Sequence, residues 1–254
     1  RVQLEINGRR VERAYSLSSR PGARRIAFTV KRQDGGLVSN HLHSAVKAGD
    51  VLTISQAMGD FVLPAVLPAK ILLLSAGSGI TPVMAMLRDL KVRNYQGDLV
   101  FLHVCRAPDD LIFAAQLQAL AADCTGLRLV VHYDASAGFF SPQVLVQHVP
   151  DLDTRSTWMC GPAGFMDAIS AYWGVEGVPS ALLSERFVGA PVLPSTAPGT
   201  PVQVVFANSG TRFTTKGTAP LLVQAEGAGL TPKHGCRIGI CRSCQCVKTS
   251  GTVE

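Results

Sequence analysis

Between Ile71 and Pro82 the chain admits few local structures. Four apolar residues, Ile71-Leu72-Leu73-Leu74, run directly into Ser75-Ala76-Gly77-Ser78-Gly79-Ile80-Thr81-Pro82. A short unbroken apolar run suits a strand buried on both faces, as in the middle of a parallel sheet. The glycines then turn the chain. Beyond them Val83, Met86, Leu87 and Leu90 fall on one face of a helix. Thr81 is expected to cap that helix and Pro82 to begin it. The turn is not G-x-G-x-x-G, because Pro82 stands at the third glycine position. It is not a P-loop either, because no G-K-[ST] follows.

The same alternation continues. Leu99–Val104, Leu127–His132 and Thr157–Cys160 are further short apolar runs, and Ser141-Pro142 and Gly161-Pro162 set Pro at the start of helices. Strands alternating with helices predict a doubly wound parallel α/β domain over residues 67–188. Residues 1–66 have another texture. Val2–Ile6 alternates, Asn7-Gly8 makes a hairpin turn, and Val11 onward, Ile26–Val30 and Val51–Ile54 are strand candidates. That predicts an antiparallel sheet closing into a β-barrel. Residues 189–200 are rich in Pro, Ala and Gly without charge, and read as a linker. Residues 201–254 open with two strands, Val202–Phe206 and Arg212–Thr214, and a helix near Leu221–Ala228, a partial α+β unit. The chain is therefore read as multidomain.

Of the seven cysteines, four crowd together: Cys236, Cys241, Cys244 and Cys246. A secreted disulfide framework would spread them, so the clustering points to a metal site in a reducing, cytoplasmic compartment. Cys236, Cys241 and Cys244 have C-x4-C-x2-C spacing, the plant-type [2Fe–2S] ligand pattern, whose fourth Cys lies further along. Soft thiolates suit such a cluster. Zinc with Cys246 as fourth ligand is the competing reading, but four Cys in one short loop close a tetrahedron poorly. Cys246 is expected instead to begin a strand and pack as a small apolar residue. The fourth cluster ligand would lie past Glu254, so the third domain is expected to be C-terminally incomplete.

Composition narrows the remaining classes. No apolar run approaches a membrane span, nothing resembles a signal peptide, and no membrane insertion is expected. The net charge of +6 gathers early, at Arg9, Arg10, Arg13, Arg20, Arg24, Arg25, Lys31 and Arg32. The charge admits a nucleic-acid reading, but no nucleic-acid motif accompanies it, so no nucleic-acid partner is expected, and the charge reads as a solvated face with part left for anionic phosphates or an acidic protein.

Arg13-Ala14-Tyr15-Ser16-Leu17-Ser18-Ser19 stands at the end of a strand and resembles the R-x-Y-S motif of the ferredoxin–NADP reductase superfamily. The resemblance implies that Arg13 pairs with a flavin phosphate, Tyr15 packs on the flavin, Ala14 lies between them, and Ser16 reaches flavin N5. Each role suits its side chain: bidentate charge-assisted bonds, a stacking face, and a hydroxyl able to donate or accept. Phe28-Thr29-Val30-Lys31-Arg32 and Gly35-Gly36-Leu37-Val38-Ser39-Asn40 resemble the family's flavin-edge strand and its pyrophosphate turn. Thr29, Val30, Lys31, Gly36, Val38 and Ser39 are thereby implicated, with FAD favoured over FMN. The family normally has more strands before R-x-Y-S, so the first domain is expected to be N-terminally incomplete.

Ser75–Pro82 resembles the same superfamily's GxGIxP turn, which implies dinucleotide pyrophosphate at Gly77, Ser78, Gly79 and Thr81. Cys160-Gly161-Pro162 resembles its C-G-P segment beside the nicotinamide, and Glu185-Arg186-Phe187 its E-x-F ending, with Phe187 a flavin cover or a core residue. Arg106 could reach a 2′-phosphate, whereas Asp134 would repel one and suit ribose hydroxyls, so the donor stays NAD(P)H. Ser16 and Cys160 are the implied catalytic residues. The domain order implies FAD and NAD(P)H domains followed by a β-grasp ferredoxin-like domain holding a [2Fe–2S] cluster. Such proteins pass electrons to an oxygenase, hydroxylase or acyl desaturase, and the cysteine loop is most similar to desaturase-associated reductases. Two other classes stay open: a flavin and iron–sulfur redox sensor, and a non-enzymatic zinc or scaffold module.

Overall fold

The computed structural model describes residues 1–187, 201–216, 219–232 and 244–251. The expected linker at 189–200, with Cys236 and Cys241, lies outside the described residues.

In the first region β1 (Val2–Ile6) turns at Asn7-Gly8 and pairs antiparallel with β2 (Arg9–Arg13). Asn7 and Gly8 both have positive φ, which this two-residue turn requires. Helix α1 (Leu37–Ser44) and the short β3 (Thr53–Ile54) follow, and the sheet order is β2-β1-β3. Val2, Leu4 and Ile6 point inward with Val38, and Tyr15, Phe28 and Leu42 pack against them. The expected closed barrel is not formed among the described residues. Ile26–Val30 contributes one bridge, Leu17 to Phe28, rather than a strand. Its ladder stops because the Ala27 amide donates to Ser19 Oγ at 3.0 Å, and Ile26 faces solvent.

The second region runs β4 (Lys70–Ala76), α2 (Ile80–Val92), β5 (Asp98–Cys105), α3 (Ala114–Asp123), β6 (Leu127–Tyr133), α4 (Asp134–Ala137), α5 (Pro142–His148), β7 (Ser156–Gly161), α6 (Ala163–Val175) and β8 (Leu182–Arg186). Its five strands are parallel in the order β6-β5-β4-β7-β8, the expected doubly wound sheet. Ile71 to Leu74 are fully buried because each face of β4 is covered. Ile71 and Leu73 meet α2 and α3, while Leu72 and Leu74 meet α5 and α6. Phe61, Leu63 and Leu67 pack on the α2 side, and Trp158 Nε1 donates to Val62 O at 3.0 Å. At the opposite end of the sheet from the glycine turn, buried Arg155 forks onto Asp98 and Asp151, and Lys70 adds a 2.8 Å bond to Asp151.

In the third region β9 (Val202–Phe206) and β10 (Thr211–Thr215) form an antiparallel hairpin, and α7 (Leu221–Gly227) follows. Phe206 stacks on Phe213 with ring centroids 5.9 Å apart. Cys246 is exposed and in no strand, contrary to its expected packing: Val247 beside it is also exposed, so no apolar surface covers that segment.

Candidate functional site

The strand order reverses between β4 and β7, and ligands of such sheets bind outside the carboxyl ends of the strands at that point. Two turns lie there: Gly77–Gly79 after β4 and Gly161-Pro162 after β7. They touch through backbone. A Cβ on Gly79 would lie 2.1 Å from Cys160 O and 2.6 Å from Gly161 N, so only glycine allows the turns to nest. Gly77 has φ +52°, the left-handed region that glycine enters without strain. The two glycines are thus needed for different reasons.

Thr81 does not cap α2. Gly77–Gly79 forms a 3-10 turn that leads into the helix at Ile80, and buried Thr81 donates back to Ser78 O at 3.2 Å. Pro162 is the residue before α6 rather than its first. It leaves Gly161 pressed between Phe165 and Ala76, where a Cβ would come within 2.7 Å and 3.1 Å of them.

Side chains in one register cross the sheet at this end. His103, Ser75, Cys160 and Glu185 are Cα partners on β5, β4, β7 and β8. Ser75 Oγ is 2.8 Å from His103 Nδ1, and burial pushes the His103 pKa down to about 4, so the ring is neutral. Cys160 is fully buried; burial and, less strongly, the Glu185 charge push its thiol pKa up, which keeps it protonated. Glu185 is itself raised by burial, opposed by a bond from Ser16 Oγ at 2.7 Å.

That bond joins the two regions. Ser16 belongs to the segment Arg13–Ser19, which leaves the end of β2. Arg13 is exposed at that end, its guanidinium donating to Glu12 O at 2.7 Å. Tyr15, next to exposed Ala14, stacks on Phe28 at 5.7 Å with planes 14° apart; burial raises its phenol, and Arg13 counteracts this. Thr29 Oγ1 lies 3.2 Å from Ser18 Oγ, Val30 O accepts from His43 Nε2 at 2.8 Å, and Lys31 is exposed.

The turn before α1 is closed by Ser39, whose Oγ accepts from the Gln33 amide at 3.2 Å. A Cβ on Gly36 would lie 2.5 Å from that Oγ and 3.0 Å from Gln33 O, so the turn is cut to glycine. Val38 points into the core with Val2, Leu4 and Ile6, which leaves its backbone, not its side chain, for any ligand.

Arg106 is exposed and paired with Asp110 at 3.1 Å, and its carbonyl accepts from Ala135 N at 2.9 Å. Asp134 caps its own loop: Oδ1 accepts from Phe140 N at 3.1 Å and lies 3.6 Å from His132 Nε2. Phe187 is half-buried just beyond β8. Cys244 is half-buried, and its two expected fellow ligands fall outside the described residues.

The residues at this end fit a flavin and a nicotinamide dinucleotide on two observations: the glycine turn at the switch point, with open space beside Gly77, and the neutral Cys160 thiol beside a half-buried carboxyl bonded to Ser16. Glu185 and Arg88, whose guanidinium donates to Ser18 O, were not picked out as site residues from sequence. The signal for Glu185 is its place at the head of Glu185-Arg186-Phe187, the segment that resembles the E-x-F ending. Arg88 carries no local signal: it is the one arginine of α2, and its partners Ser18 and Gln116 lie 70 and 28 residues away.

A two-sheet scaffold with a flavin-type segment docked at the switch point of a nucleotide-type sheet defines a class of oxidoreductase. Residues 1–63 match the oxidoreductase FAD-binding domain and residues 73–171 the oxidoreductase NAD-binding domain. An NADPH oxidoreductase of Mycobacterium tuberculosis is 41% identical over 247 residues, covering 96% of this chain and 64% of that protein. A glycine betaine monooxygenase reductase subunit of Pseudomonas aeruginosa is 31% identical over 280 residues, covering all of this chain and 76% of that one. Among solved structures, the FAD/NAD-binding domain of nitric oxide dioxygenase from Vibrio cholerae superposes with TM-score 0.60 at 26% identity, covering 73% of this chain and 81% of that one. The chain belongs to the ferredoxin reductase family of FAD- and NAD-binding oxidoreductases. It spans just under two thirds of the mycobacterial relative's length. No helix among the described residues is long and apolar enough to cross a membrane.

Proposed function

We propose that this chain takes electrons from NAD(P)H into bound FAD and passes them, through a [2Fe–2S] cluster held by Cys236, Cys241 and Cys244, to an oxygenase, hydroxylase or acyl desaturase. When bound, the flavin supplies the exchange of a two-electron donor for one-electron deliveries. The observation that carries the reading is the 2.7 Å bond from Ser16 Oγ to Glu185 Oε2, with Cys160 in register beside Glu185. It brings the flavin segment against the strand end that the nicotinamide turn rests on.

The chain's own residues then have separate duties. Arg13 offers an exposed guanidinium to a flavin phosphate. Tyr15, braced by Phe28, offers a ring to the flavin. Gly77, Ser78 and Gly79 present backbone at the start of α2 to the dinucleotide phosphates. Cys160 is fully buried and stays uncharged, so it would border the nicotinamide through its backbone and bring no thiolate to the site. Ser16 and Glu185 hold a proton between them at the edge of the flavin position. The Pseudomonas relative, a monooxygenase reductase subunit, supports an oxygenase as acceptor. Five free cysteines among the described residues support a reducing, cytoplasmic setting.

The test is an anaerobic absorbance titration of the cofactor-loaded protein with NADH and NADPH. Bleaching of flavin and iron–sulfur bands together is expected. A flavin-only response overturns the cluster step, and no response to either nucleotide overturns the reductase reading.

A further inference from the structure

The segment Arg13–Ser19 is tied to the nucleotide sheet by two hydrogen bonds of different kinds. One is Ser16 Oγ to Glu185, at the end of β8. The other comes from a helix: Arg88, two thirds of the way along α2, donates through Nη1 to Ser18 O. Arg88 is held for that task. Its guanidinium lies over the Phe113 ring, 5.1 Å from the centroid, and Nη2 donates to Gln116 Oε1 of α3. Phe113 has φ +66°, an unfavourable conformation for a bulky residue, and it brings the ring under the guanidinium. A planar fork with several donors can make these contacts together; an ammonium cannot.

Ser18 is a sensitive point to grip. It is buried, its amide donates to Ala27 O at 2.8 Å, and its hydroxyl meets Thr29 Oγ1 and Ala27 O at 3.2 and 3.3 Å. Pulling on Ser18 O therefore moves both flavin-type segments as one piece. Beside Arg88 the two regions part around an open cleft of about 440 Å³ lined by Ser19, Arg20, Ala27, Lys91, Val92 and Leu120 among others.

We propose that Arg88 is a positioning residue for electron delivery: its bond to Ser18 O sets the separation between the Tyr15–Ser16 edge and Cys160. The proposal rests on the reductase reading above. Arg88 touches no reacting atom, so its removal changes distance rather than chemistry. A displacement of about 1 Å costs roughly a hundredfold in rate where two reactants must meet at a fixed distance.

The experiment is stopped-flow reduction of the FAD-loaded chain by saturating nicotinamide nucleotide, for wild type, Arg88→Ala, Arg88→Lys and Lys91→Ala. Lys91 lies one turn along the same helix, bonds Asp123 and does not touch Ser18. Arg88→Ala is expected to slow flavin reduction about ten- to a hundredfold, with nucleotide affinity and FAD content nearly unchanged. Its nicotinamide–flavin charge-transfer absorbance is expected to weaken, and amide exchange over residues 16–19 to rise. Arg88→Lys recovers part of the rate, and Lys91→Ala matches wild type.

A wild type that is reduced, alongside an Arg88→Ala variant equal to it in rate, charge-transfer band and exchange, overturns the proposal. So does equal slowing in Lys91→Ala. If Arg88→Ala does not fold, Arg88→Lys decides: a wild-type rate and band overturn the proposal, and a partial loss of both supports it. A wild type reduced by neither nucleotide overturns the reductase reading instead, while the exchange comparison still reports on the clamp.

Discussion

Replacing Gly79 by Ala tests whether the two turns at the switch point really nest. The added Cβ would meet Cys160 O at 2.1 Å and Cys160 C at 2.4 Å, about an ångström inside ordinary van der Waals contact, which begins near 3.4 Å. The atoms in the way are backbone, so no rotamer change relieves the clash. The β4 and β7 turns must separate by about an ångström. Overpacking of that kind costs roughly 1–3 kcal/mol, or about 2–12 °C in Tm for a chain of this size. The same shift moves Cys160 relative to the dinucleotide turn, at about a hundredfold in the rate of flavin reduction. Gly77→Ala is the internal comparison. It meets nothing within 4 Å, and its cost of about 1–2 kcal/mol is the left-handed backbone alone. The assay pairs calorimetry with stopped-flow reduction at saturating nucleotide. Gly79→Ala is expected to lose both stability and rate, and Gly77→Ala mainly stability. A Gly79→Ala protein with wild-type Tm and wild-type reduction rate would refute the nested-turn argument.

Three further outcomes follow from other parts of the molecule. Arg155→Met should destabilise the sheet by roughly 1–3 kcal/mol, less than for a fully buried network because Asp98 and Asp151 keep some solvent. Bonds from Arg155 hold both carboxyls below their usual pKa, so their contribution is complete above the unfolded carboxylate range and is lost as pH falls through and below about 4; urea unfolding at several pH values should show that loss in wild type and not in the variant. His103 acts in a neighbouring window. Its pKa is pushed down to about 4 by burial, so the unfolded chain takes the proton first and stability falls between about pH 6.5 and 4, by roughly 3 kcal/mol at the lower end; His103→Leu should flatten that part of the curve, and parallel curves would contradict it. Cys241→Ser should abolish reduction of a cluster-dependent acceptor while leaving flavin bleaching by NAD(P)H intact, and loss of both would contradict a modular relay.

The α/β sheet was legible because its strands are buried on both faces. Ile71–Leu74 can satisfy four consecutive apolar side chains only between two helical layers, and the layers formed by α2 with α3 and α5 with α6 are what the run required. The first region was less legible. Alternation along Val2–Ile6 set the β1–β2 hairpin correctly, but the same texture at Ile26–Val30 did not make a strand. Period-two patterning says which side chains share a face; it does not supply a partner for the backbone, and here Ser19 took the amide instead. Helix starts were wrong by a residue or two for a related reason. Thr81 and Pro162 have the chemistry of caps, yet the glycine turn tightened into a 3-10 segment and Gly161 was pinned by Phe165 and Ala76, which moved both boundaries.

The site divides along the same line. Its backbone parts, the glycines of the two turns and the segment Arg13–Ser19, were readable because their constraints are local: a positive φ, or a contact that only glycine tolerates. Its electrostatic parts were not. Ser16 meets Glu185 across 169 residues of chain, and Ser18 meets Arg88 across 70. Glu185 heads the E-x-F segment, but that motif does not name its partner, and Arg88 stands in no motif. Each acquires a role only when sheet register sets Cys160 beside Glu185 and the α2 face sets Arg88 over Phe113. A local motif therefore says which cofactors the turns can cradle, while the distance between those cofactors is set by side-chain pairings that no local motif contains. If that division holds, Gly79→Ala should lose stability together with rate, and substitutions at Glu185 or Arg88 should change the rate of transfer with nucleotide affinity nearly intact.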